Sequence, residues 1–493
     1  MGNEEIIRNT ALENDAIFEL KPGSRIYFIG IGGISMSGLS EIATNLGYFA
    51  AGSDRHLSHR TQYLEKRGIH VYEGHKEENI REFAPDLVVH TAAILPGNEE
   101  IAYAGKMHIK TVDRARFLGF LTRGFEKVIN ITGTHGKTTT TSMTSLILIA
   151  SGVEPTVHLG AELDAFGGTV RMGQKGKIFV SEACEYQRSF LQFSSTTAAI
   201  TNIDFDHVDC FRDLSDVIDA FVTFTEKIAQ GGTLVIPAFD PNVTEAVQRM
   251  KQHLPNMGLP MPQLVTTGLE GDIFAPTGEP ADVVATNIQY CEGYPEFDVQ
   301  IDGHFYTHIC LNIPGDHNIY NALTAIACAH LNGGTKEAAA KVLSSFSGAE
   351  GRYSIKGKYH GATVVADYAH HPAAARATLS AASRIPHNKT WVVFQPLTYN
   401  RTEILFDDFV TSLLPCEHVL FAEIFSDREI NRGTISSSML AAQINRKGGH
   451  AEFFADKKDI IRRLNELVGE NDLILVLGPE DIRELADELV RLD

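Results

Sequence analysis

The sequence predicts an α/β protein built from three domains. Three observations carry that expectation. The chain has 493 residues, a length that ordinarily divides into about three domains. Short apolar strand patterns alternate with helical stretches along most of it. At residues 127–150 a strand runs directly into a glycine-rich loop and then a helical run, the layout of a phosphate cradle.

The elements follow in order. Residues 1–20 are acidic and lack an apolar centre, so they read as an extension and not as a secretory signal. A first domain, residues 21–125, has strands at 25–29, 48–51 and 86–90 with helices between, which argues for a parallel sheet covered by helices. A second, residues 126–350, has strands at 127–132, 177–181, 197–203 and 233–236, with a helix from about Thr139 to Ala150. Prolines then cluster from Pro255 to Pro280, and strands at 297–301 and 305–313 flank Asp302-Gly303, a hairpin signal for a small antiparallel sheet. A helix follows at 318–331. Gly348 and Gly351 mark a hinge. A third domain, residues 351–493, has strands at 363–366, 390–394, 418–422 and 473–477.

The bulk composition excludes several classes. A net charge of −19 argues against nucleic acid or an anionic membrane as partner. Six cysteines without a Cys-x-x-Cys pair suit free thiols in a reducing compartment, not a zinc ribbon or disulfide frame. No apolar run approaches the roughly 18 residues of a membrane span. The expected location is the cytoplasm; the oligomeric state is not legible.

Chemistry concentrates at strand ends. Thr132-Gly133-Thr134-His135-Gly136-Lys137-Thr138-Thr139 offers backbone N–H groups and a helix N-terminus to an anion, with Lys137 for β- and γ-phosphates and the Thr138 hydroxyl for Mg²⁺. The loop is a shortened variant, since Ile131 stands where a strict P-loop has glycine. Gly30-Ile31-Gly32-Gly33-Ile34-Ser35 follows a strand and opens a helix, and Asp54, preceded by Ser53, ends the next strand. Ser35 replaces the third glycine of the dinucleotide fingerprint, so a nicotinamide dinucleotide and another pyrophosphate nucleotide both fit. Glu182, Asp204, Asp206 and His207 follow strands of the second domain and suit a metal beside phosphates. Asn318 and Asn321 open a helix, where amides cap or reach a purine edge. Asp367-Tyr368-Ala369-His370-His371-Pro372 and residues 394–402 follow strands of the third domain and read as a binding surface.

Taken together, these motifs resemble those of the Mur ligases, in family order over about residues 25–480. The resemblance implies an N-terminal Rossmann-like domain that binds a UDP-sugar through Gly30, Gly32, Gly33, Ser35, Ser53 and Asp54, with Arg401. It implies a central P-loop ATPase-like domain that binds ATP through Gly133, Thr134, His135, Gly136, Lys137, Thr138, Thr139, Asn318, Asn321 and Arg352. Mg²⁺ would sit on Thr138, Glu182 and His207. A C-terminal Rossmann-like domain would hold the amino acid through Tyr368, His370 and Arg401. The implied chemistry is two-step: the lactyl carboxylate of UDP-N-acetylmuramate takes the γ-phosphoryl group of ATP, and the amine of L-alanine displaces phosphate from the acyl phosphate, in peptidoglycan precursor synthesis. Lys137, Glu182, His207 and His370 would carry catalysis, with His207 or His370 assisting the amine.

The chain departs from the family pattern at Leu397, where a histidine is usual, and at Gly351, where a first arginine is usual. Pro479-Glu480 replaces Ala-Gly, and Cys184 and Tyr186 alter the carboxylate motif after Glu182. Losing an imidazole at 397 removes roughly 1.5–3 kcal/mol of orientation and leaves alanine, glycine and serine open as the amino acid. Two other readings compete. A nicotinamide oxidoreductase built on Gly30–Gly38 leaves Lys137 and His207 unexplained. A non-catalytic nucleotide-binding paralogue does not require Lys137, Thr138, Glu182 and His207 together.

Overall fold

The computed structural model describes residues 20–91, 97–426 and 429–492, so the extension at 1–19 lies outside the described residues. Three large sheets form in sequence order, with a separate two-stranded ribbon. The first contains β1 (Arg25–Ile29), β2 (Phe49–Asp54), β3 (His70–Glu73), β4 (Leu87–His90) and β5 (Lys110–Asp113), all parallel, in the order β3-β2-β1-β4-β5. After Arg25, β1 is buried throughout, which is why it reads as a continuous apolar run and not as alternation. The strand order reverses at β1, so its carboxyl end opens a crevice. The glycines at 30–33 stand there, ahead of α1 (Ile34–Leu46).

The second sheet has ten strands: β6 (Lys127–Thr132), β7 (Thr156–Leu163), β8 (Gly168–Arg171), β9 (Ile178–Glu182), β10 (Ser195–Ile200), β11 (Ile228–Pro237), β12 (Gln263–Leu269), β15 (Val283–Cys291), β16 (Tyr294–Ile301) and β17 (His304–Cys310). The ribbon pairs β13 (Ile273–Phe274) with β14 (Glu279–Pro280). The ten-stranded order is β17-β16-β15-β12-β11-β10-β6-β9-β7-β8, parallel from β15 to β7 and antiparallel at both edges. The expected hairpin is β16–β17. Asp302 and Gly303 both have positive φ, 50° and 75°, as a tight primed turn requires. Its strands extend the parallel sheet through β15.

The strand expected at 197–203 starts two residues earlier and stops at Ile200. Beyond it the Thr201 N–H still reaches the Thr132 carbonyl at 2.9 Å, while its hydroxyl donates to the carbonyls of Thr132 and His135, at 3.2 and 2.6 Å, and ties the chain to the glycine loop.

The third sheet orders β18 (Ser354–Tyr359), β19 (Ala362–Asp367), β20 (Thr390–Phe394), β21 (His418–Phe421), β22 (Ala451–Phe453) and β23 (Leu473–Leu477) as β18-β19-β23-β20-β21-β22, with only β18 antiparallel. One apolar core joins the first two sheets: Phe28 and Phe117 belong to the same buried cluster as Phe190, Phe221 and Phe224. Phe190 stacks on Phe224 and meets Phe221 edge-on, with centroids 5.0 and 5.2 Å apart, pairs worth about 0.5–1.5 kcal/mol each beyond their burial. The six cysteines are free thiols. Among the described residues no helix is long and apolar enough to cross a membrane.

Candidate active site

A cleft of about 580 Å³ lies where the carboxyl ends of β6, β9 and β10 face the loops after β19 and β20. Its floor is the loop between β6 and α2 (Lys137–Ala150). Gly133 and Gly136 have φ of +130° and +82°, and both lack room for a Cβ. At Gly133 it would lie 2.1 Å from the Thr201 hydroxyl and within about 3 Å of two backbone nitrogens; at Gly136 it would lie 2.4 Å from the Asn321 side-chain oxygen. Gly133→Ala is therefore expected to destabilise the protein by about 1–3 kcal/mol and to weaken nucleotide binding, measurable by denaturant unfolding and by calorimetric titration with ADP. Most hydroxyls of the buried, threonine-rich α2 find partners, three of them by bonding back one turn, while the Ser142 hydroxyl is buried with none among the described residues. Thr141 donates to Lys137 O at 2.8 Å, and Thr144 and Ser145 donate to the carbonyls four residues earlier.

The Lys137 ammonium curls back over the loop onto the carbonyls of Gly133 and Thr134 and ion-pairs with Glu185 at 2.8 Å. Burial opposes its charge, but Glu185, Cys184 and Glu182 together outweigh that and raise its pKa. Glu185 is only 2% exposed. Burial alone would raise its pKa; Lys137 and the His207 hydrogen bond outweigh it and hold the carboxyl below its usual range. Nothing in the sequence marked Glu185 as the lysine's partner beyond its place three residues past Glu182.

Thr138 donates its hydroxyl to Glu182 at 2.9 Å, and the Gly160 amide holds the other carboxylate oxygen at 2.7 Å. His207, with φ of +50°, turns its Nε2 to within 3.4 Å of Glu185. Its Nδ1 is buried and has no hydrogen-bond partner among the described residues. That orphaned nitrogen lines the same cleft as the Glu182 carboxylate and the Thr138 hydroxyl, donor types that suit a divalent cation beside phosphates, and His207 also lies with Cys184 and Glu185 in a cluster whose donor atoms fall within 4.8 Å of one another.

The segment after β10 ties the loop to the third sheet. The Asn202 amide accepts from the His135 N–H and donates to the His135 carbonyl, both at 2.9 Å. Asp204 lies 3.4 Å from His135 and 4.0 Å from His371. Asp206 accepts from Arg401 Nε and Nη2, each at 2.8 Å, with both residues buried. Burial works against the Asp206 charge, but Arg401 and the neighbouring histidines hold its pKa well below the ordinary carboxylate value. Arg401 stands at the start of α5 (Tyr399–Ile404), after α4 (Pro372–Ser383). Its guanidinium, expected to meet the sugar nucleotide and amino acid, is engaged by Asp206. His370 lines the cleft with Nδ1 2.7 Å from the Tyr368 carbonyl. Burial and Arg401 push its pKa well below the usual imidazole value.

Asn318 and Asn321, at the start of α3 (Asp316–Leu331), do not cap it: Asn318 donates to Pro314 O at 2.7 Å, and Asn321 donates to the Asn318 side-chain oxygen at 3.0 Å. The Asn321 oxygen then accepts from Thr140 on α2 at 3.2 Å. Arg352 and Arg483 both approach the Tyr368 ring, at 4.9 and 5.4 Å from its centroid. Leu397 lines the cleft near Arg401. Gly348 and Gly351, the expected hinge, have positive φ, and the intervening Glu350 N–H bonds the Glu162 carbonyl of the second sheet at 3.1 Å.

The first-sheet residues lie outside this cleft. Asp54 accepts from the Gly32 N–H at 2.8 Å. Ser35 bridges to Arg114 at 2.8 Å and to His158 of β7 at 3.1 Å, joining the first two sheets. Ser53 is not open to a ligand. Its hydroxyl is buried against His75 and Glu100, and its carbonyl accepts from the N–H groups of Gly30 and Ile31, so it supports the glycine turn from behind.

Family models match the chain in three successive pieces: the Mur ligase family catalytic domain at residues 25–126, the Mur ligase middle domain at 131–329, and the Mur ligase glutamate ligase domain at 351–479. The UDP-N-acetylmuramate--L-alanine ligase of Acetivibrio thermocellus is 39% identical over 481 residues, 97% of this chain and 98% of that protein. The chain belongs to the Mur ligase family. Another relative of this Mur ligase, the UDP-N-acetylmuramate--L-alanine ligase of Clostridium botulinum, is 40% identical over 468 residues, 95% of this chain and 97% of its own length. The crystal structure of the UDP-N-acetylmuramate-alanine ligase of Thermotoga maritima superposes with a TM-score of 0.76 at 26% identity, covering 95% of this chain and 99% of that one. The murein peptide ligase of Psychrobacter arcticus shares the fold at 24% identity and a TM-score of 0.68, over 95% of this chain and 98% of that one.

Proposed function

We propose that this Mur ligase joins L-alanine to the lactyl carboxylate of UDP-N-acetylmuramate, using ATP, in the cytoplasmic synthesis of peptidoglycan precursors. One observation carries the reading: the phosphate loop with Lys137, and the Thr138–Glu182–His207 group, face His370 and Arg401 of the third sheet across a single cleft. Near full-length identity to ligases named for this reaction supports it.

ATP lies with its phosphates on the loop amides at the start of α2. A carboxylate oxygen of the sugar nucleotide attacks the γ-phosphorus; that O–P bond forms, the β–γ bridging bond breaks, and ADP leaves. Lys137 donates to the equatorial oxygens, whose charge grows in the transition state. Thr138, Glu182 and His207 would hold Mg²⁺, which when bound supplies charge neutralisation. The amine of alanine then attacks the acyl carbon, loses a proton, and phosphate departs. His370 is the acceptor we assign for that proton. Its Nδ1–H donates to the Tyr368 carbonyl, so Nε2 keeps a lone pair, and its depressed pKa leaves it neutral near pH 7. The Asp206–Arg401 pair holds the third unit over the loop and limits water at the acyl phosphate. Asn318, Asn321 and Arg352 frame the nucleotide, and Tyr368 the amino acid. Gly30, Gly32, Gly33, Ser35 and Asp54 frame the UDP moiety in the crevice of the first sheet. Leu397 makes this wall more apolar than an imidazole would, which favours a second reading with another small amino acid.

Purified protein with ATP, Mg²⁺, UDP-N-acetylmuramate and single amino acids tests this. Phosphate release that requires both the sugar nucleotide and L-alanine, with a product heavier by one alanyl residue, is expected. Release with glycine or serine instead of alanine moves the assignment to the second reading. No release with any amino acid, despite ADP binding, rejects the ligase assignment.

A further inference from the structure

On the outer hairpin, away from the cleft, Glu296 of β16 pairs across the strands with Cys310 of β17, and Asp298 pairs with His308. Strand alternation puts all four side chains on one face. His308 Nδ1 lies 2.8 Å from Asp298, while Nε2 lies 3.0 Å from a Glu296 oxygen and 3.6 Å from Cys310 Sγ. The three candidate donor atoms of Glu296, His308 and Cys310 all fall within 4.8 Å of one another.

We propose that Glu296, His308 and Cys310 form a surface site for one divalent transition ion of the zinc class. Zinc takes nitrogen at about 2.0–2.1 Å, sulfur at about 2.3 Å and oxygen at about 2.0–2.2 Å in a tetrahedron, whose N···S and N···O edges are then roughly 3.6 and 3.3 Å. The two separations seen here, 3.6 and 3.0 Å, are close to those edges before any ion arrives. Asp298 supplies the outer partner such sites use: a carboxylate on the far ring nitrogen fixes the tautomer, so Nδ1–H donates to Asp298 and Nε2 faces the ion with its lone pair. Binding releases the Cys310 thiol proton to solvent and leaves the fourth position for water. The thiolate and imidazole select against Mg²⁺ and Ca²⁺, which prefer oxygen donors. An ion here would clamp β17, the edge strand of the ten-stranded sheet, onto β16.

Full-length, reduced, metal-free protein titrated with Co²⁺ tests the site through thiolate-to-cobalt charge-transfer absorption. One equivalent is expected to give that band, Zn²⁺ to displace it, and Cys310→Ser to lose it while keeping alanine-dependent phosphate release unchanged. Asp298→Ala is expected to weaken binding by about 10–100-fold. Absence of the band in the unaltered protein overturns the proposal. So does a band that persists in Cys310→Ser and vanishes in Cys184→Ser, which would place the ion beside His207. An unchanged affinity in Asp298→Ala overturns the assigned geometry.

Discussion

Lys137→Ala is expected to lower alanine-dependent phosphate release by on the order of 10³-fold or more, about 4 kcal/mol of transition-state stabilisation. The ammonium is the one lysine or arginine side chain on the loop itself, and its loss leaves developing phosphoryl charge to the loop amides and to whatever cation Thr138, Glu182 and His207 hold. The same substitution strands Glu185, a nearly inaccessible carboxylate, without its cation. Breaking one side of a buried pair costs about 3–5 kcal/mol, so the variant should also unfold at lower denaturant. The two effects separate in Lys137→Ala/Glu185→Gln: stability should largely return, because the buried charge is gone, while turnover stays lost. Near-normal turnover in Lys137→Ala would sink the assigned role.

Arg401→Ala should be strongly destabilising, again by about 3–5 kcal/mol, because it leaves Asp206 buried and charged. Its pH dependence distinguishes this cause from lost packing. In the native pair the Asp206 pKa is depressed, so its contribution to stability is present above the ordinary carboxylate value of about 4 and is lost as pH falls through the depressed value. Without Arg401, burial dominates and raises that pKa, so ionisation now costs stability as pH rises. Denaturant unfolding across acid to neutral pH should therefore show a wide gap between the two proteins near neutrality that narrows toward about pH 3. A gap constant with pH would assign the loss to packing.

The frame of this fold was legible because its central parallel strands are mostly apolar runs, interrupted in β6 only by Asn130, that end in glycine or a polar cluster: β1, β6, β20 and β23 fall where the sequence places them. Edge strands such as β5, β18 and β22 were not legible, since they are half-exposed and carry no strong period, and β5 and β22 are also short. Site residues divide the same way. Lys137 and Thr138 announce themselves by their local loop and helix. Glu185 does not, because it reaches Lys137 only through the turn that follows β9, where Gln187 and Arg188 both adopt positive φ. Ser53 looked available because it precedes Asp54 at a strand end, yet the pleat turns its hydroxyl into the core.

The Asp206–Arg401 pair spans 195 positions of sequence. During synthesis the phosphate loop, β9 and β10 emerge long before the guanidinium that neutralises Asp206. Until α5 arrives, that carboxylate has only water and its neighbouring histidines for company, and the segment at 201–207 has no cation to fasten it. The nucleotide half of the site can thus take shape on a nascent chain, whereas the wall that excludes water is set only when translation has passed Arg401. The bond that holds the two halves together is also the clock that orders their assembly.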